Sequence, residues 1–144
     1  MPPLTLADQK LLAKYLRMKS RQLAAASFVN VFIWRPFYRL SWEIVGGNLC
    51  IFAEDKLGCF MLLPPLGKRF CASTVKECFA IMEAQNRGSG ITRIENLEAE
   101  EIKDFRALGP KTVFKLKDED YVYLTRDLAE LKGNRYKSKR AAVN

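Results

Sequence analysis

The stretch "RLSWEIVGGNLCIFAEDKLGCFMLL", residues 39–63, carries the signal from which the architecture follows. Leu40, Trp42 and Ile44 recur at every second position, the period of a strand that buries one face. Gly46, Gly47 and Asn48 then supply residues that accept a positive φ, as a tight hairpin turn requires. "LCIFAE" alternates again, "DKLG" makes a second turn, and "CFMLL" runs on as a third strand into "PPLGKRF". This order predicts an antiparallel meander of three strands.

On the N-terminal side of the meander, Thr5 reads as a helix cap with Asp8 as its box partner, and Leu6, Leu11, Leu12, Tyr15 and Leu16 give an apolar face as far as Met18. "RQLAAASFVNVFIWRPFY" is apolar nearly all round, which predicts a second helix or helix pair, largely buried and ended by Pro36. Beyond the meander, Ser73 or Thr74 caps a helix whose inward stripe is Val75, Cys78, Phe79 and Met82 and whose stop is Gly88. "ITRIENL" reads as a short strand, and "EAEEIKDFRALGP" as a helix with an acidic first turn and a Gly-Pro stop. "TVFKL" and "YVYLT" read as two further strands about the turn "KDED", before a closing helix. The expected architecture is mixed α/β (α+β), a single domain with a largely antiparallel central sheet flanked by helices.

The chain has 144 residues, 49% hydrophobic and 28% charged, the size and composition of one globular domain with a substantial core. Cys50, Cys59, Cys71 and Cys78 match neither a CxxC pair nor a zinc pattern, and the chain contains no histidine. They read as reduced, mostly buried thiols; a cysteine nucleophile would lack the histidine that usually activates it. No metal site and no cofactor is expected. "MPPLTLADQK" is not a secretory signal, and "LAAASFVNVFIW" is about half of the ~20 residues that cross a bilayer. A cytoplasmic protein without a transmembrane segment is the expectation.

Lys and Arg number 24 against 16 acidic residues, a formal charge of +8. Such a balance suits nucleic acid, anionic lipid headgroups or phosphorylated ligands, and equally plain solubility. "QNRGSG", residues 85–90, fits the Q-x-x-G-x-G pattern of coenzyme A-binding acyltransferases, but it follows a helix, where carbonyls and the negative dipole end repel phosphate. It reads as a helix stop and turn. "PPLGKRFCAS" has the right polarity, strand before and helix after, so Gly67, Lys68 and Arg69 form a candidate anion loop, with a rigid structural turn as the alternative. Trp34, Arg35, Phe37 and Tyr38 read as core, or as a ligand groove with Trp34 and Arg35 in its wall; an arginine there needs a partner or a path to solvent.

Taken together, "SFVNVFIWRPFY", "PPLGK" and "DYVYLTRDLAELKGNRYKSKRAAVN" resemble the bacterial phosphatidylglycerol lysyltransferase C-terminal domain family in its soluble branch. Asp120, Tyr121, Tyr123, Leu124, Asp127, Leu128, Leu131, Lys132, Gly133, Tyr136, Lys139, Arg140 and Asn144 stand where the family pattern has like residues. Ser138 and Ala142 stand where that pattern has polar or histidine residues. The resemblance implies two tandem GNAT-like folds, similar to the Fem-type transferases that take amino acids from aminoacyl-tRNA. On that implication residues 1–125 are a GNAT-like N-terminal half-domain, and 126–144 a basic helix leading toward a second half.

Two functions follow. One is the N-terminal half of an aminoacyl or acyl transferase, inactive alone, with no catalytic residue assigned within 1–144. The other is a non-catalytic polyanion-binding module in which Lys132, Arg135, Tyr136, Lys137, Lys139 and Arg140 dock tRNA or anionic phospholipid headgroups, Tyr136 stacking beside phosphate-binding cations. A solvated helix end is the bland alternative. A second GNAT-like half, or a second copy of the chain, is the expected protein partner.

Overall fold

Three antiparallel strands, β1 (Arg39–Val45), β2 (Asn48–Glu54) and β3 (Cys59–Met61), lie side by side in that order. The computed structural model describes residues 1–144 except Ser89, Gly90, Ile91, Lys111, Asp118, Tyr121, Val122 and Asn144, and except the side chains of Arg140 and Val143. Val45 pairs with Asn48 across a two-residue turn in which Gly46 and Gly47 have φ of 55° and 79°. Those paired positive values are the conformation that closes a tight hairpin with the right twist. Asp55 closes the second turn, its carboxylate accepting from the Leu57 and Gly58 amides at 2.7 and 3.1 Å.

β2 is the central strand, and the pleat divides its side chains between two cores. Leu49, Ile51 and Ala53 meet Leu12 and Tyr15 of α1 (Gln9–Leu16) and Val31 of α2 (Phe28–Phe32). Cys50 and Phe52 meet Cys78 and Met82 of α3 (Ala72–Asn86). The sheet is thus packed between helices on both faces. Residues 2–4 bond along the outer edge of β1, Leu4 N–H donating to Leu40 O at 2.9 Å, so this edge is covered. At the far edge Met61 and Ile94 form one parallel bridge, an arrangement consistent with a GNAT-like fold.

Several elements differ from expectation. The expected buried helix over residues 21–38 is only the five-residue α2, capped by Ser27. Upstream of it the Glu98 carboxylate takes the Gln22 and Leu23 N–H groups at 2.5 and 3.1 Å, and Asp120 takes that of Ala24 at 2.7 Å. Donors bound to distant carboxylates do not build an i−4 ladder. The segment is only half inside: Val31 is in the core with Phe28, Phe32 and Tyr38 packed against it, whereas Val29 is 65% exposed, Ile33 55%, Trp34 45% and Phe37 69%.

"ITRIENL" contributes only the Met61 bridge, and its Ile91 lies outside the described residues. Residues 112–117 have no regular secondary structure and no strand partner among the described residues, so "TVFKL" is no strand there, and "YVYLT" includes Tyr121 and Val122, which lie outside the described residues. α3 begins after Cys71 rather than after Ser73 or Thr74. Thr74 is buried instead, its hydroxyl donating to Val45 O at 3.3 Å. Past α4 (Ile102–Arg106), the tail is two helices, α5 (Thr125–Glu130) and α6 (Lys137–Val143), parted by Leu131 at φ 49° and Gly133 at φ 89°.

Candidate functional site

Between α3, residues 92–98, α4 and residues 112–117 lies a cleft of about 1300 Å³. Phe79 of α3, Ile94 beside β3, Phe105 of α4 and Phe114 give it apolar walls. At its rim Glu95 is held by Arg93 Nε at 2.7 Å and Lys117 Nζ at 2.5 Å. Arg93 in turn lies 3.9 Å over the ring of Phe60. Burial opposes ionisation of Glu95, and hydrogen bonds from Lys117 and Arg93 outweigh it, holding the carboxyl below the usual glutamate range. A carboxylate so engaged orients its neighbours rather than accepting a proton. The cleft is large enough for an extended ligand with an apolar body and a charged end.

The second candidate is the tail. Tyr136, between α5 and α6, is 2% exposed, its hydroxyl donating to Asp127 Oδ2 of α5 at 3.5 Å. Its ring is therefore interior, and the half-buried Tyr123, 6.1 Å away, is the aromatic beside the cations. Lys139 Nζ sits 4.5 Å over the Tyr123 ring, and Arg135 lies 4.7 Å over Tyr136 and 5.8 Å over Tyr123. Lys132 pairs with Glu130 at 2.9 Å, whereas Arg135, Lys137 and Lys139 have no carboxylate within ion-pair distance among the described residues. The side chain of Arg140 lies outside those described.

Residues 64–70 return to the sheet through Leu66, whose N–H donates to Leu49 O at 2.8 Å. A Cβ on Gly67 would stand 1.9 Å from the Asn48 amide oxygen, so this glycine is required by packing. Lys68 and Arg69 are exposed. Gly67, Arg69, Lys19 and Arg21 surround a space of about 20 Å³, close to the volume of one water position. Arg21 and Lys19 are instead committed to Glu101, at 2.8 and 2.9 Å, with the Arg21 and Glu101 side chains only 5% and 7% exposed. Burial works against the charge on Glu101; Lys19 and Arg21 overcome it and keep its carboxyl low.

Trp34 and Arg35 do not line the cleft. Arg35 lies 4.2 Å over the Phe32 ring, with solvent as its outlet, and Trp34 rests against Phe37 and Tyr38 at 5.8 and 6.0 Å. Sequence reasoning missed Glu95, Arg93 and Lys117, since positions 22 residues apart carry no local pattern that joins them. "QNRGSG" begins at the end of α3, where Arg87 turns left-handed at φ 47°; its Ser89 and Gly90 lie outside the described residues. Among the described residues no group of three or more cysteine and acidic side chains is placed to hold a metal ion. Nor, among them, is any helix long and apolar enough to cross a membrane.

This architecture, a mixed antiparallel sheet between helices with an open cleft beside its far edge, can be set against known proteins. The family described as "Phosphatidylglycerol lysyltransferase, C-terminal" matches residues 17–144, and the chain belongs to that family. No curated protein matches. The crystal structure of a conserved protein of unknown function from Bacteroides thetaiotaomicron superposes with a TM-score of 0.83 at 21% identity, covering 99% of this chain. The chain spans 48% of the length of that protein.

Proposed function

We propose that the chain is the N-terminal, GNAT-like half of an aminoacyl or acyl transferase, with the cleft beside Glu95 as part of its substrate groove and the 123–140 cluster as its contact with donor tRNA. Family membership over 17–144 supports the transferase class. The observation that carries the tRNA contact is the set of three cations, Arg135, Lys137 and Lys139, left without carboxylates among the described residues, two of which, Arg135 and Lys139, lie over the ring of Tyr123. A transfer from an activated ester asks mainly for positioning and electrostatic support, which a chain without histidine can supply. With only half of a groove, the chain alone turns over no substrate.

The test is retention of tRNA on a filter across a salt series. The affinity is expected to fall steeply with salt, by a log-log slope of about −0.7 to −0.9 per phosphate neutralised. Lys137→Ser, Lys139→Ser and Arg140→Ser together are expected to abolish retention; unchanged binding rejects the tail as the contact. In parallel, lysyl-tRNA and phosphatidylglycerol vesicles are supplied to the chain alone, and any aminoacylated lipid rejects the half-enzyme reading. The second reading, a binding module without catalysis, is favoured by the completeness of the cation–tyrosine cluster within this chain. It is chosen over the first if adding the remainder of a longer protein to the chain gives tRNA binding but still no transfer.

A further inference from the structure

The charges of this molecule are segregated. Residues 9–42 contain Lys10, Lys14, Arg17, Lys19, Arg21, Arg35 and Arg39 and no acidic residue. Residues 9–38 of this stretch carry α1 and α2, the layer that covers one face of the sheet, and Arg39 opens β1. Lys19 and Arg21 are committed to Glu101, and Arg39 to Glu54 at 3.5 Å. Lys10, Lys14, Arg17 and Arg35 remain on the outer surface of the layer, each exposed and with no carboxylate within ion-pair distance among the described residues.

On the same layer stand the exposed apolar side chains. Val29 and Ile33 are successive turns of α2, joined by the Ile33 N–H to Val29 O bond of 3.0 Å, so they share a side of it. Trp34 and Phe37 are in ring contact one turn on, and Phe37 borders a depression shared with the exposed Leu57 and Lys56. Five large exposed apolar side chains thus follow one another from α2 to the β2–β3 turn, Ile33 and Trp34 being neighbours in the chain. The two acids nearby are occupied, Asp55 with the turn amides and Glu54 with Arg39. Isolated exposed hydrophobics need no explanation, but a contiguous patch of this kind marks a contact surface.

We infer that the α1/α2 face lies on an anionic bilayer surface, with Trp34, Phe37, Ile33 and Val29 entering the headgroup boundary and Lys10, Lys14, Arg17 and Arg35 against lipid phosphates. Charge selects this occupant. A second copy meeting the patch through a two-fold axis would set cation against cation, whereas anionic lipid offers each a counter-charge worth about fivefold in binding per residue near the surface. Tryptophan and phenylalanine beside arginine are the side chains that reside at that boundary. The inference does not depend on transferase activity, nor on the 123–140 cluster.

Trp42→Phe leaves Trp34 as the sole tryptophan, since the chain has two. This variant is mixed with vesicles of phosphatidylglycerol and phosphatidylcholine in equal parts, and with vesicles of phosphatidylcholine alone. Sedimentation with the first and not the second is expected, together with a blue shift of Trp34 emission. In the unsubstituted background, Trp34→Ala with Phe37→Ala is expected to weaken partition at least about tenfold, and Lys14→Glu with Arg35→Glu to weaken it comparably while the far-ultraviolet circular dichroism is unchanged. The tail variant that combines Lys137→Ser, Lys139→Ser and Arg140→Ser keeps vesicle binding. Binding unaffected by the patch variants overturns the inference, as does loss of binding in the tail variant alone. So does a self-associated protein that those patch variants render monomeric, for then a second copy occupies the face.

Discussion

Cys71 shows how one position sets the reactivity of a residue. Cys50, Cys59 and Cys78 are buried, and Cys78 donates its S–H to Cys50 Sγ at 3.3 Å. The bond from Cys78 and the surrounding apolar core push the Cys50 thiol far up, and burial raises Cys59 to about 11. Cys71 is partly exposed at the N-cap of α3, where the Ser73 hydroxyl, helped by hydrogen bonds from Thr74, stabilises its thiolate and brings its pKa down to about 7. Iodoacetamide is therefore expected to alkylate Cys71 in the folded protein, with a rate that rises to half its maximum near pH 7, and to reach the other three only in denaturant. Mass mapping of the labelled peptides checks this; labelling of Cys50 or Cys78 at the native rate contradicts the burial described. All four cysteines were legible as reduced thiols, but the difference among them was not, because it arises from what surrounds each sulfur.

At the level of elements, α3 is tied to the sheet by two buried polar residues as well as by its apolar stripe. Asn86, at its last turn, accepts from the Cys59 N–H at 2.6 Å and donates to the Cys59 carbonyl at 2.8 Å, standing in for a strand neighbour at the edge of β3. Thr74, at the first turn, joins Val45 O and the Asn48 amide. Asn86→Ala leaves both Cys59 backbone groups without these partners in a buried site, which is expected to cost about 2–3 kcal/mol. The urea midpoint reads the loss, and a change below about 0.5 kcal/mol, the range of an ordinary surface substitution, would mean that water replaces the amide. Strands β1 to β3 and helices α1 and α3 were readable because each carries its own period and turn residues. α2 and residues 112–117 were misread because apolar content was taken for burial, although Val113 and Leu116 are 89% and 79% exposed.

Across the molecule as a body, acidic residues late in the chain fix a basic segment near its start. Glu98, Glu101 and Asp120 together bind the 19–24 stretch through its side chains and amides. The Arg21–Glu101 pair is buried, so Glu101→Gln leaves a guanidinium without its counter-charge and is expected to destabilise by about 3 kcal/mol. The sign with pH follows from the lowered carboxyl of Glu101 in the folded state. Its contribution is complete above the ordinary glutamate value of 4.5 and disappears as pH falls through the lower folded value. Acid titration of the urea midpoint should therefore fall more steeply below that value in the parent than in Glu101→Gln, and parallel curves would remove Glu101 from the account.

The meander, the helical cover on both faces, the positive charge and the family resemblance could all be read along the chain, because turn chemistry, periodicity and composition are local properties that survive in one dimension. The cationic tail too was legible, as a run of residue types. Three features emerged only on folding: Tyr136 is interior while Tyr123 meets the cations, Glu95 joins Arg93 to Lys117 at a cleft, and Val29, Ile33, Trp34 and Phe37 of an apolar segment face outward. Each of these depends on which distant groups reach the same place, and that is set by the packing of helices on a sheet rather than by any pattern along the chain.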